Sequence, residues 1–241
     1  MEVHDVSEYI HWNIPRPGFY IQDILPKEGS LLLYGEPGVK KSWLAEYMGF
    51  CVATGSDFLG FRTEQARVLI VNFEMSSAGY HWRLRDMVGN FTLQSQMYYE
   101  ASPSILMLED RAIFNRFAED IRPIQPQVII LDCLQKCYGG DENSKEEMLV
   151  FVLHLEELMR EHRTSVVIVH HSNRNLLSTS PMDRSRGTTL IPGWVDTVVH
   201  MVKQPSGIQL QFGKVRQAIR ELRNLNIQFE NYLWTRRNEG G

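Results

Sequence analysis

The residues most suited to chemistry lie in GEPGVKKS, Gly35 to Ser42. A phosphate-cradling loop follows G-x-x-x-x-G-K-[ST], and this segment matches it everywhere except the sixth position, where Lys40 stands in place of glycine. Such a loop aims backbone N–H groups at an anion, backs them with a helix N-terminus, and extends a lysine to the outer phosphates. Gly35 and Gly38 supply the loose turn and Pro37 stiffens it, while Glu36, Val39 and Lys40 contribute main chain to the cradle. Lys41 brings the positive charge, and the Ser42 hydroxyl is the expected ligand of Mg2+. Two outcomes are open for Lys40. If its dihedrals suit a helix start, the side chain points outward at little cost; if φ must be positive, the penalty is about 1 kcal/mol or more. Neither abolishes a site held by several charge-assisted hydrogen bonds.

Three further places complete a set for phosphoryl transfer to water. QVIILD delivers Asp132 at the end of a buried strand, as expected of the carboxylate that supports magnesium. RVLIVNFEM carries Glu74 past the end of another strand, where a carboxylate free of the metal can orient and deprotonate the attacking water. SVVIVHH ends in His170 and His171, whose side chains point to opposite faces of a strand. One therefore packs inside, and the other, assigned as His171, faces the γ-phosphate. Zinc is not favoured, because neighbouring histidines on a strand diverge and no carboxylate or Cys cluster is expected nearby.

These residues need a scaffold that brings strand ends together. Short aliphatic runs, SLLLY (30–34), RVLIVNF (67–73), QMYYE (96–100), QVIILD (127–132) and SVVIVHH (165–171), alternate with helix-length segments at 41–54, 77–88, 110–121 and 145–161. This is the signature of a parallel sheet covered by helices. After Pro192 the pattern changes: VDTVVHMV, GIQLQFGKV and NIQFENYLW predict three successive strands without intervening helices, a mostly antiparallel extension.

Bulk composition limits the partners. With 241 residues and 43% hydrophobic composition, one large domain is expected. The formal net charge of −4 gives no global attraction to nucleic acid or anionic lipid, so any DNA contact must come from a local basic patch. Cys51, Cys133 and Cys137 form no C-x-x-C pair and read as core thiols of a cytoplasmic chain. No apolar run approaches the ~20 residues of a membrane span.

In combination, GEPGVKKSWLA, VATGSDFLGF, VLIVNFEMS, VIILD, VIVHHSN, RGTTLIPGWVDTVV and LQFGKVR resemble the RecA-like ATPases of the plasmid RepA replicative-helicase type, relatives of the DnaB motor domain. The resemblance runs from about Pro15 to Phe229 and implies an α/β RecA-like P-loop NTPase core occupying residues 29–241, preceded by an arm or interface segment at 1–28. It also implies a homo-oligomeric ring, usually a hexamer, with ATP and Mg2+ at subunit interfaces. There Lys214 and Arg216 of the Lys-x-Arg pair reach the neighbour's nucleotide, and a guanidinium arriving from outside stabilises charge developing on the γ-phosphate. The family's nucleic-acid-binding loops correspond to the segments after Asp132 and after His171. The second carries Arg174, Arg184 and Arg186, suited to contacts with single-stranded DNA. With only about thirty residues before the loop, the additional N-terminal domain of DnaB-type helicases is not expected. The expected function is an ATP-driven motor on single-stranded DNA in replication. The alternatives are a RecA-like regulatory or assembly ATPase acting on a protein partner, and a nucleotide-binding scaffold slowed by Lys40.

Overall fold

A computed structural model describes residues 3–14, 16–141, 144–171, 190–205, 207–218 and 221–237. The chain opens with a single exposed turn of helix, Val6–Tyr9 (α1), capped by the Asp5 side chain. A small antiparallel hairpin follows, Phe19–Ile21 (β1) and Leu25–Pro26 (β2). Tyr20, Ile21, Ile24 and Leu25 are buried, and the Ser165 hydroxyl donates to the Pro26 carbonyl at 2.8 Å. The hairpin is thereby fixed to the main body, whereas residues 3–14 stay exposed.

The body alternates as the apolar runs demand: Ser30–Gly35 (β3), Lys41–Thr54 (α2), Val68–Asn72 (β4), Ser77–Val88 (α3), Tyr98–Ala101 (β5), Arg111–Ile121 (α4), Val128–Asp132 (β6), Leu134–Cys137 (α5), Lys145–His162 (α6) and Ser165–His171 (β7). Beyond them come Leu190–Trp194 (α7), Thr197–Gln204 (β8), Gly207–Val215 (β9), Leu225–Glu230 (β10) and Leu233–Arg236 (β11). The main sheet has nine strands in the order β11-β10-β9-β8-β3-β7-β6-β4-β5. Pairing is parallel from β8 to β5 and antiparallel from β8 outward through β11. The α/β architecture with an antiparallel C-terminal extension is therefore the one expected.

Strand pleating divides the interior in two. Leu31, Leu33, Ile70, Ile130, Val167 and Val169 join α2, α3 and the β1–β2 hairpin in one core. Their alternating neighbours Leu32, Leu69, Val71, Ile129, Leu131, Val166 and Ile168 pack with α4, α6 and α7 in the other. Central parallel strands buried on both faces require such continuous aliphatic runs. Helix α2 starts just after the phosphate loop and ends at Gly55, whose φ of 73° suits glycine as a C-terminal cap.

One expectation fails. NIQFENYLW, read as a single strand, is two strands turning at Asn231 and Tyr232, with φ of 50° and 62°. Two successive residues at positive φ make the tight turn whose twist matches a hairpin. Its usual marker, a glycine, is absent, and only Glu230 and Asn231 interrupt the apolar residues at the bend. Strand β5 also begins later than QMYYE suggests, after Gln96 at φ 62°.

Candidate functional site

The phosphate loop joins β3 to α2 and rests on two glycines for different reasons. A Cβ on Gly35 would lie 2.5 Å from the Met201 carbonyl oxygen of β8, so close strand packing excludes a side chain. Gly38 has open space around it but a φ of +83°, so there the backbone conformation selects glycine. Lys40 adopts φ 63° and ψ 38°, the left-handed conformation, at the N-terminus of α2. Its side chain nevertheless turns outward and sets Nζ 4.5 Å from the centre of the Phe229 ring. Of the two conditions considered for Lys40 the positive-φ one is met, and the side chain points outward all the same. A strain of about 1–2 kcal/mol is partly offset by a cation–π contact of about 0.5–1 kcal/mol.

Lys41 is buried, and its Nζ donates to the carbonyls of Gly35 at 2.9 Å and Glu36 at 3.0 Å. Burial lowers its pKa, while the carboxylates of Asp132 and Glu74 and the Cys133 thiol act in the opposite sense. Val39 is buried beneath the loop, whereas Glu36 and Pro37 are exposed. Behind the loop the Trp43 ring meets Phe229 at 5.1 Å and Tyr232 at 5.6 Å, while the Arg83 guanidinium covers it at 3.9 Å. Arg83 Nε also reaches the buried Glu46 at 2.9 Å. Nothing in the loop motif announces this aromatic and ionic backing.

Neighbouring strands bring the remaining groups to one rim. Gly35 pairs with His171, and Asp132 lies between Asn72 of β4 and Val169 of β7. The Asp132 carboxylate is buried near the Ser42 hydroxyl, and its Oδ1 has no hydrogen-bond partner among the described residues. Burial pushes its pKa up to about 6 against the lowering effect of Ser42. An orphaned buried carboxylate oxygen beside a serine hydroxyl fits a hard divalent cation that takes oxygen ligands and water. Ser42 and Asp132 are accordingly the residues that would hold magnesium, which would shield phosphate charge there.

Glu74 is aimed by the chain just before it. The Asn72 Oδ1 accepts from the N–H groups of Glu74 at 3.2 Å and Met75 at 3.4 Å, bending the backbone as it leaves β4. Glu74 Oε1 then meets His171 Nε2 at 2.7 Å. Burial raises the Glu74 pKa, but hydrogen bonds from His171 and Cys133 with the charges of His171 and Lys41 outweigh it, leaving the carboxyl below its ordinary value. This carboxylate is ionised and oriented as a water-activating base requires. His170 turns to the opposite face, is buried, and is held down to about pKa 4 by burial, His171 and Lys41.

Cys133 corrects the reading of the cysteines as uniform core thiols. Cys51 and Cys137 pack in the two cores, but the Cys133 thiol lies within 4.8 Å of the Glu74 carboxylate and the His171 imidazole. Its position directly after Asp132 was the available signal. The expectation that no carboxylate or Cys cluster stands near the histidines fails, because the ends of three adjacent strands bring both Cys133 and Glu74 beside His171.

Lys214 and Arg216 sit elsewhere, on β9 and just beyond it. Lys214 Nζ donates to the carbonyls of Pro192 at 3.1 Å and Gly193 at 2.6 Å. Arg216 donates to Trp194 at 2.8 Å and Gly193 at 2.7 Å. Within one chain the pair caps the end of α7 and does not meet the rim. Arg174, Arg184 and Arg186 lie outside the described residues.

This fold and rim define a RecA-like P-loop NTPase core. The family model described as "AAA domain" matches residues 2–175, and the chain belongs to that family. Among solved structures it is similar to the KaiC-like protein PH0186 from the hyperthermophilic archaeon Pyrococcus horikoshii OT3, with a TM-score of 0.62 and 10% identity, covering 92% of this chain and 96% of the other. It is also similar to a solved ATPase domain of another protein, with a TM-score of 0.65 and 12% identity over 88% of this chain and 86% of that one. At such identities the likeness establishes the fold alone. No curated protein sequence matches the chain. Among the described residues no helix is long and apolar enough to cross a membrane.

Proposed function

We propose that the chain is a magnesium-dependent ATPase that hydrolyses ATP at the subunit interfaces of a homo-oligomeric ring, a hexamer of the RepA and DnaB kind, coupled to movement along single-stranded DNA in replication. The observation carrying this reading is the convergence of Lys41, the Ser42–Asp132 pair and the Glu74–His171 pair on one rim of the sheet. Lys41 binds the outer phosphates, Ser42 and Asp132 hold the metal, and Glu74 takes the proton of the attacking water. His171 keeps Glu74 oriented and reports the γ-phosphate to the segment that follows. Residues 29–241 form the ATPase domain and residues 1–28 an arm that contacts a neighbour. Lys214 and Arg216 complete the adjacent site after exchanging the α7 carbonyls for phosphate oxygens. Cytoplasmic residence accords with three reduced cysteines.

A second reading, a regulatory or assembly ATPase acting on a protein partner, draws support from the net charge of −4, which gives DNA no general attraction. ATP hydrolysis measured with and without single-stranded DNA, together with mass in solution, separates the two. The motor reading expects strong stimulation that falls steeply with salt as phosphate contacts release counterions, and loses that stimulation when Arg174, Arg184 and Arg186 are all replaced by alanine. Hydrolysis indifferent to DNA selects the regulatory reading. Lys41→Ala should remove measurable nucleotide affinity in calorimetric titration, since each charge-assisted bond contributes about 1.5–3 kcal/mol. Unchanged affinity in that variant would end both readings.

A further inference from the structure

We infer that Glu74, Cys133 and His171 form a second cation site, selective for a thiophilic divalent ion such as Zn2+ and distinct in chemistry from the Ser42–Asp132 magnesium site. The three residues leave the ends of β4, β6 and β7, adjacent strands in the sheet. They offer one carboxylate oxygen, one sulfur and one imidazole nitrogen, all within 4.8 Å of one another. Zinc bonds of about 2.0–2.3 Å put the ligand atoms of a tetrahedral site roughly 3.3–3.8 Å apart. Modest rotations of two side chains reach that spacing. Glu74 and His171 can make them, being 40% and 27% exposed, while buried Cys133 stays as the fixed point. Their exposure also leaves one side open, so water can supply the fourth ligand.

The donor set decides the ion. Sulfur and imidazole favour zinc and similar borderline-soft cations, whereas magnesium demands oxygen and retains its water. On binding, the Cys133 thiol gives its proton to solvent, as thiolate ligation requires. The bound ion then takes Glu74 as a ligand, blocking turnover while phosphate contacts at Lys41 persist. That last consequence, unlike the metal binding itself, rests on the proposed role of Glu74.

Cobalt(II) chloride titrated into the full chain, without nucleotide or magnesium, tests the site by a readout independent of hydrolysis. One equivalent should produce a thiolate-to-cobalt charge-transfer absorption that zinc chloride abolishes and magnesium chloride does not. The double variant Cys51→Ser/Cys137→Ser should keep the band and Cys133→Ser should lose it. Glu74→Gln, at a half-exposed position that leaves the core intact, should weaken cobalt affinity roughly ten-fold or more. The assignment is overturned if the parent gives no such band, if the band survives in Cys133→Ser, or if Glu74→Gln binds as the parent does. Since no nucleotide is present, a negative result leaves the ATPase reading standing, and an inactive ATPase leaves the metal site standing.

Discussion

The rim of the sheet and the flank of the molecule are finished to different degrees within a single chain. At the rim the Lys41 ammonium, the Glu74 carboxyl and the His171 imidazole are each held by another group of the same chain, with the Asp132 carboxyl buried beside them. On the flank, Val3, Val6, Ile10, Trp12 and Ile14 of the N-terminal segment are exposed, as are Leu149, Val150 and Leu153 of α6. Lys214 and Arg216, the residues assigned to a neighbour's nucleotide, hold the carbonyls of their own α7 instead. The groups proposed to bind and break the nucleotide are brought together within one chain, whereas apolar side chains on the flank are left exposed. This is the division of labour expected of an ATPase whose turnover waits on association.

The largest effect that tests this contrast is on turnover in the assembled protein. Arg216→Ala should preserve nucleotide binding while lowering hydrolysis by about 10³–10⁵-fold, the range for an arginine supplied to a transferring phosphoryl group. If dilution to monomers gives parent and variant the same low rate, the arginine acts across subunits. A parental rate in the assembled variant would reduce Arg216 to a cap on α7. On the rim side, Glu74→Gln should lower single-turnover hydrolysis by about 10²–10⁴-fold without weakening binding. With Glu74 acting within its own chain as proposed, this loss should not depend on protein concentration.

Asp132 gives a smaller effect of opposite sign. Its carboxyl is raised to about 6 in the folded chain from an ordinary value of 3.8. The folded state therefore keeps a proton that the unfolded state has lost. This contribution to stability is fully present below pH 3.8 and disappears as pH rises through about 6. By linkage it is on the order of 3 kcal/mol. Asp132→Asn should raise the denaturation midpoint at neutral pH in magnesium-free buffer and forfeit the response of nucleotide binding to magnesium. A lower midpoint would show that Asp132 is stabilised by its surroundings, contrary to its burial. The smallest effect concerns Lys40→Gly, which relieves left-handed strain but gives up the Phe229 contact, for a net change within about 1 kcal/mol. A double-mutant cycle with Phe229→Leu, read by chemical denaturation, separates the two contributions.

Much of this was legible in the sequence because it depends on period and order. Aliphatic runs such as VIILD must be buried on both faces and alternate with helix-length segments, so the parallel sheet and the strand-end positions of Asp132 and Glu74 are strongly constrained, though the order of strands across the sheet is not. What escaped depends on contacts between distant segments. Cys133 looked like filler until β4 and β7 brought Glu74 and His171 beside it. The turn at Asn231 and Tyr232 lacked glycine and so lacked its usual marker. The partners of Lys214 and Arg216 lie on α7, a five-residue helix containing proline and glycine that periodicity does not detect. Lys40 was the instructive case: its identity posed the question, but only the backbone angle and the distant Phe229 ring answered it.

That ring sits on β10, next to the last strand of the sheet, and Tyr232 at the bend between them also touches Trp43 on α2. The C-terminal hairpin is therefore fastened to the most strained residue of the phosphate loop at one point and to the helix behind it at two. Peeling the hairpin away would separate Lys40 and Trp43 from their aromatic partners, so the far edge of the sheet is tied by side chains to the loop at its centre.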